Sequence, residues 1–318
     1  MSAYEELAQL RPPGPTLVTI GVFDGVHRGH QHLLERLKAE AHGQGFGTSV
    51  VTFRQHPRTV LRPGDEVPLL STLEDRLCLL RKLGVDVVAP LTFDLALSSL
   101  RAREFVALLQ DKLLMRGLVV GPDFALGHKR EGTIPVLREL AEDMGFTVTA
   151  VEVLDLEGSP ARSTAVRGAV VAGDMPWAAR LLGRPFSLPG VVRRGEGRGQ
   201  GLGFPTANLD IEPSLVMPPD GVYATWLRID GVYHPAATSI GVRPTFGPGQ
   251  RTVEAHVLDF ARDLYDAEVR LAFCTRLRGE LRFDSPDALV ARIRQDVDET
   301  RAALRAASAM LADAERWA

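Results

Sequence analysis

Cysteine is nearly absent from this chain. Only Cys78 and Cys274 occur in 318 residues, far apart and outside any CxxC arrangement, so neither a disulfide framework nor a structural zinc site is expected. A reducing, cytoplasmic setting is the corresponding expectation. Charge of one sign is also lacking. Lys and Arg number 37 against 40 Asp and Glu, for a formal charge of -3, which gives no global attraction to nucleic acid, and no basic, aromatic-interleaved stretch supplies a local one. Any anion site must be local. No apolar run approaches membrane-spanning length, and Met1-Ser2-Ala3-Tyr4-Glu5-Glu6 lacks the basic start and apolar core of a secretory signal, so a soluble protein without a membrane partner is expected. No GxxxxGK(S/T) sequence occurs, so a P-loop kinase is not supported. Internal repeats and low-complexity tracts are absent too.

What the chain does have is an alternation of strand-like and helix-like segments in its first half. Thr16 to Ile20, Thr48 to Phe53, Val85 to Pro90, Leu118 to Gly121 and Thr147 to Val153 read as strands. Glu74 to Leu83, Arg103 to Leu114 and Ile134 to Met144 carry helical periodicity, so a parallel sheet with helices on both faces is predicted. The second half changes rhythm. Gly221 to Ile229 and Val232 to Ile240 flank Asp230-Gly231, a type I′ hairpin signal, and Arg251 to Asp259 and Glu268 to Arg276 read as further strands of a small antiparallel barrel or sandwich. A terminal helix should start at Ser285-Pro286 and bury Leu289, Ile293 and Val297. At this length two domains fit, with the boundary near Leu182-Gly183-Arg184-Pro185: residues 1–184 and 185–318.

The stretch Gly21-Val22-Phe23-Asp24-Gly25-Val26-His27-Arg28-Gly29-His30 falls between the first strand and the helical run Leu33, Leu34, Leu37. That is where open α/β sheets bind ligands and where helix amides meet anions. Paired histidines could also be metal ligands, but no third ligand stands nearby, so a nucleotide phosphate is the better fit. Asp123 and Phe124 follow another strand and His56 follows the second, all near the expected crevice. Their ordinary alternatives are core packing for Phe124 and a turn for His56. In the second half, strand alternation sets Glu254 and His256 opposite Val253, Ala255 and Val257, and by itself Glu254 would be a solvent-facing strand residue. Pro205-Thr206-Ala207-Asn208 could be plain turn chemistry, although its hydroxyl and amide oxygens suit Mg²⁺.

Taken together, these motifs resemble those of the bifunctional bacterial riboflavin kinase/FAD synthetases along nearly the whole chain. The resemblance rests on Gly21-x-Phe23-Asp24-Gly25-Val26-His27-x-Gly29-His30, Thr52-Phe53 with His56-Pro57, Gly121-Pro122-Asp123-Phe124 with Gly127, and Ser163-Thr164-Ala165-Val166-Arg167. It continues through Leu182 to Phe186, Gly203-Phe204-Pro205-Thr206-Ala207-Asn208, Gly221 to Ala224, Gly241-Val242-Arg243-Pro244-Thr245 and Val253-Glu254-x-His256. One such motif is common by chance; this many, in order, is not. Gln55, Arg162 and Gln200 depart from the family pattern, where proline, serine and a basic residue are usual.

The resemblance implies a Rossmann-like nucleotidyltransferase domain, then a kinase domain built as a small antiparallel β-barrel with a terminal helix. It implies that riboflavin is phosphorylated to FMN and FMN adenylylated to FAD, with ATP as co-substrate of both reactions and Mg²⁺ as cofactor. The ATP site would use Gly21, Phe23, Asp24, His27, His30, Ser163, Thr164 and Arg167, with His56, Asp123 and Phe124 as flavin or nucleotide contacts. In the kinase, Glu254 would be the base, Gly203, Thr206 and Asn208 would hold phosphate, and Thr206 and Asn208 would hold Mg²⁺. A chain with one activity only, a flavin-binding regulator, or a relative acting on transfer RNA are the competing readings. Complete motifs in both halves oppose the regulator, and the acidic balance opposes RNA.

Overall fold

Short apolar strands, each followed by an amphipathic helix, can bury both faces of a sheet only if the strands run parallel with helices on either side. The computed structural model bears this out. It describes residues 2–195, 198–242 and 251–317, with only the backbone of Arg198 and Gln200, and divides into two compact units, Met1–Arg162 and Ser163–Ala318. Arg243, Pro244 and Thr245 of the family motif and the Gln200 side chain lie outside the described residues.

The first unit holds β1 (Thr16–Ile20), β2 (Gly47–Phe53), β3 (Val87–Leu91), β4 (Met115–Val120) and β5 (Thr147–Ala150), all parallel, in the order β3-β2-β1-β4-β5. Helices α1 (Arg28–Gln44), α2 (Leu73–Lys82), α3 (Ala102–Leu113) and α4 (Ile134–Met144) cover it. The central strand β1 is buried at all five positions. The chain leaves β1 toward β2 on one side, whereas β4 pairs on the other. The strand order therefore reverses between β1 and β4, and a crevice opens beyond their carboxyl ends.

In the second unit, α5 (Ser163–Ala172) and α6 (Met175–Leu182) precede a closed six-stranded antiparallel barrel. Its strands are β6 (Ser187–Arg193), β7 (Ala207–Ile211), β8 (Gly221–Ile229), β9 (Val232–Val242), β10 (Arg251–Val257) and β11 (Glu268–Arg278), in the order β6-β7-β10-β9-β8-β11. Asp230 and Gly231 turn β8 into β9 with φ of 49° and 87°, as a type I′ turn requires. Strands β6 and β7 escape the sequence pattern: Pro189 and Gly190 interrupt the first, and the second begins in what reads as a turn, so only the barrel's closure makes them strands. Helices α7 (Pro286–Ala306) and α8 (Ser308–Trp317) end the unit, with Ser285 Oγ accepting from Ala288 N at 3.2 Å as an N-cap.

The expected burial stripe of α7 needs correction. Leu289, Ile293 and Val297 are only half-buried, and the buried positions are Asp296, Thr300 and Leu304. Leu289 and Ile293 instead face an open pocket, described below.

Helices α5 and α6 belong by packing to the second unit, upstream of the Gly-Pro break that the sequence pattern marks. The reason lies in α6, whose Met175, Ala178, Ala179, Leu181 and Leu182 are buried and which packs against β11. A fragment 163–318 should therefore unfold at a temperature about 5 °C or more above a fragment 185–318, because the shorter piece exposes that barrel surface. Calorimetry on the two fragments checks this; equal melting temperatures would contradict it.

Candidate functional site

The turn after β1 is held by a carboxylate that never reaches solvent. Asp24 is 1% exposed, and its oxygens accept from Leu70 N at 2.9 and 3.0 Å and from Ser71 N at 3.2 Å. Ser71 Oγ in turn accepts from Gly25 N at 3.0 Å. This clamp sustains an unusual backbone: Phe23 and Val26 have φ of 54° and 40°, in the left-handed region that non-glycine residues avoid at roughly 1–3 kcal/mol each. Asp24 thus serves the site from beneath, as an anchor for the turn, and does not line the cleft.

The clamp presents two imidazoles. His27 is the N-cap of α1: its Nδ1 accepts from His30 N at 3.3 Å, which places the ring proton on Nε2. The His30 ring stacks on it at 3.6 Å between centroids and is backed by Phe23 at 4.9 Å. His30 Nδ1 is buried with no hydrogen-bond partner. Burial, and secondarily the nearby His27 and Arg76, hold the His30 imidazole well below the usual histidine range. The ring is consequently neutral at pH 7. Gly29 lies between them, where a Cβ would fall 2.2 Å from Ala161 O, so only glycine lets that segment close over the helix start. At Gly21 a Cβ would fall 3.2 Å from the Phe23 ring.

A cleft of about 240 Å³ opens here, lined by His27, Gly29, His30, Asp123, Phe124 and Arg162 together with the segment 151–154. Phe124 also packs on the core of the unit. Arg162, which departs from the family pattern, donates to the Asp123 carboxylate at 2.9 Å across this lining. His56 does not line the cleft: its Nδ1 accepts from Arg58 N at 3.1 Å and caps the short helix Pro57–Leu61. Gln55 donates to Phe93 O at 2.7 Å. Ser163, Thr164 and Arg167 occupy the first turns of α5, in the second unit.

On the barrel, register decides the second site. Glu254 in β10 stands between Asn208 of β7 and Ser239 of β9, its partners on the two flanking strands. Val253, Ala255 and Val257 fill the barrel, so Glu254 and His256 point outward. There they meet a pocket of about 560 Å³ closed by the segment Glu280 to Phe283 and the start of α7. Thr206 Oγ1 donates to Glu254 Oε2 at 3.4 Å, and His256 Nδ1 donates to Pro205 O at 2.8 Å while its ring meets Phe204 edge-on at 5.5 Å. Gly203 turns the chain at φ 87°, and Gly195 lies so near Asn208 that a Cβ would meet the amide at 2.2 Å. One wall is apolar, with Leu202, Phe204, Leu281, Phe283, Leu289 and Ile293. Another wall holds a buried ion pair, Arg278 bound through two nitrogens to Asp296 at 2.9 and 2.7 Å, with Arg292 on Asp296 at 2.8 Å.

Arg278, Asp296 and Ser239 are missed by sequence reasoning. A faint signal existed only for Asp296, a carboxylate three residues from Ile293 on the apolar side of a helix. Ser239 and Arg278 are brought in by strand pairing alone.

The buried neutral state of His30 has a testable sign. The unfolded chain protonates His30 near the ordinary value of about 6.5, whereas the folded chain does so only at lower pH. Stability is therefore undiminished above pH 6.5 and falls as the pH drops below it. Urea unfolding of the first unit between pH 7.5 and 5.5 should show this loss, and His30→Gln should flatten it. Parallel curves for the two proteins would refute the assignment.

The chain is similar to known proteins along both of its units. A family model described as FAD synthetase matches residues 11–165, and one described as riboflavin kinase matches residues 182–304. The bifunctional riboflavin kinase/FMN adenylyltransferase of Pseudomonas fluorescens is 42% identical over 311 residues, covering 95% of this chain and 97% of its own. The protein of the same name from Listeria monocytogenes is 35% identical and covers 90% and 91%. A crystal structure from Streptococcus pneumoniae, described as a macrolide-efflux protein, superposes with a TM-score of 0.85 at 30% identity over 93% of this chain and 96% of that one. No helix among the described residues of this chain is long and apolar enough to cross a membrane. With both family models matched in order and curated relatives similar over nine-tenths of the length, the chain belongs to the bifunctional riboflavin kinase/FMN adenylyltransferase family.

Proposed function

We propose that the two sites divide the work of making FAD. The barrel pocket phosphorylates riboflavin to FMN, and the strand-end cleft joins FMN to the adenylyl group of a second ATP. The observation that carries this reading is the row Asn208, Glu254, Ser239 on three paired strands, which sets one carboxylate among neutral hydrogen-bonding groups at the edge of an apolar pocket.

Riboflavin offers a neutral primary hydroxyl. Glu254 accepts its proton as the oxygen attacks the γ-phosphorus of ATP, and ADP leaves. The flat ring system rests on the apolar wall, with Leu281, Phe283, Leu289 and Ile293 excluding water. His256 and Gly203 shape the Pro205-Thr206 segment, keeping the Thr206 hydroxyl beside Glu254. The hydroxyl of Thr206, the amide oxygen of Asn208 and the Glu254 carboxylate form a hard-oxygen donor set that fits Mg²⁺, and Thr206 and Asn208 would hold it. When bound, the ion would neutralise charge on the phosphate oxygens.

In the strand-end cleft the nucleophile is already an anion. An FMN phosphate oxygen attacks the α-phosphorus of ATP, one new P–O bond forms, and pyrophosphate departs with the electrons of the broken one. No protein base is needed. His27 and His30 donate N–H groups to phosphate oxygens from the start of α1. Asp123 and Phe124 contact flavin or nucleotide, and Ser163, Thr164 and Arg167 are assigned to the same phosphates by their motif. His56 is best read as a cap. Functionally the chain divides near residue 184. The two free cysteines suit a cytoplasmic enzyme, and neither nucleic acid nor membrane enters either reaction.

The test is product analysis with riboflavin and MgATP. Glu254→Gln should lower riboflavin phosphorylation roughly 10²-fold or more while leaving FMN adenylylation intact. Replacing His27 and His30 together by alanine should leave phosphorylation intact, cut FAD formation roughly 10²-fold and cause FMN to accumulate. Loss of the opposite activity in either variant would overturn the division.

A further inference from the structure

Among the described residues, Arg76 is the largest side chain to be fully buried, at 1% exposure. It lies on α2, whose buried face Arg76, Leu79, Leu80 repeats at helical spacing with an arginine where an apolar residue is expected. One guanidinium nitrogen, Nη1, donates to Val22 O at 2.9 Å, Phe53 O at 2.7 Å and Thr52 Oγ1 at 3.3 Å. Thr52 Oγ1 itself donates to Val22 O at 2.9 Å. Val22 opens the turn that carries the histidines, and Thr52 and Phe53 end β2, so a single cation ties together the two strand ends behind the cleft. Its Nε is buried without any partner.

An apolar residue with a water, or a neutral donor, could satisfy two carbonyls more cheaply than a group that never loses its charge. What such a group adds is a fixed positive charge. Its neighbouring carboxylates are Asp24, which already accepts from Leu70 and Ser71, and the exposed Glu74. The groups acting on His30 are His27 beside it and Arg76 behind it, while Asp123, Glu152 and Arg162 face it from the cleft. We propose that Arg76 is a positioning residue of the adenylyltransferase site: it locks the Val22 turn to the end of β2 and keeps a permanent positive charge behind the His27–His30 pair, where the phosphates bind. This rests on the phosphate-binding reading of those histidines. Repulsion from Arg76 also helps keep the His30 ring neutral until an anion arrives.

Two variants separate the tether from the charge. Arg76→Met keeps length and removes both; Arg76→Lys keeps the charge but loses the planar fork. In the full chain, the His30 ring titration is followed by NMR, FMN adenylylation is measured across pH, and riboflavin phosphorylation serves as the control. In Arg76→Met the His30 midpoint should rise, the acid limb of the adenylylation profile should move with it, and kcat should fall roughly 10²-fold. In Arg76→Lys the midpoint should stay in place while kcat falls about tenfold. Wild-type kcat in the lysine variant overturns the tether, whether or not the methionine variant folds. An unmoved His30 midpoint in a folded Arg76→Met overturns the role of the charge. The chain with His27 and His30 both replaced by alanine, assayed alongside, keeps the two readings apart. If it makes FAD normally, the phosphate-binding reading falls; if it is inactive while Arg76→Met is not, only the proposal for Arg76 falls.

Discussion

The Asp24 carboxylate, buried and taken up by the backbone of Leu70 and Ser71, is the interaction on which the first site depends. A glycine- and histidine-rich turn has no reason to hold Phe23 and Val26 at positive φ on its own, since each costs stability. Fixing the turn to a segment 46 residues away makes the strain permanent. The His27 cap, the His30 stack and the closeness of Gly29 to Ala161 then follow, because each needs the start of α1 in one place. Arg76 performs the same service from the opposite side, joining that turn to β2. Charged groups thus fix the shape of the turn on which His27 and His30 stand.

The second site reaches a comparable end by another route. A barrel needs no strained turn to place a carboxylate, because strand pairing fixes neighbours at a definite spacing. Once β10 lies between β7 and β9, Glu254 must stand between Asn208 and Ser239. The barrel wall contributes Glu254 and Ser239 to the pocket, and the segment before α7 contributes Leu281 and Phe283. The pair Arg278 and Asp296 holds α7 to β11.

Periodicity and punctuation were sufficient for most of the architecture. The parallel order of the first unit, the Asp230-Gly231 hairpin and the Ser285-Pro286 helix start are local decisions, written in residues that sit next to one another. The motifs Gly21 to His30 and Val253 to His256 were equally legible, because each is a short contiguous string at an element boundary. The alternation of Val253, Glu254 and Ala255 even gave the correct faces. What misled was the assumption that apolar spacing means burial. Leu289 and Ile293 have the pattern of a core stripe, but they form the wall of an open pocket.

The sequence by itself determined which residues could do phosphate chemistry and on which strand or helix end each would stand, since these depend on residue type and on neighbours a few positions away. Only the tertiary structure decided how those residues are used. Asp24 anchors its turn through Leu70 and Ser71, Arg162 pairs with Asp123, and Thr206 meets Glu254 just before a barrel strand begins. Each of those outcomes turns on a partner that packing brings close, some of them 39 to 48 residues distant, and no local pattern encodes which distant carbonyl, carboxylate or amide will occupy the place beside a given side chain.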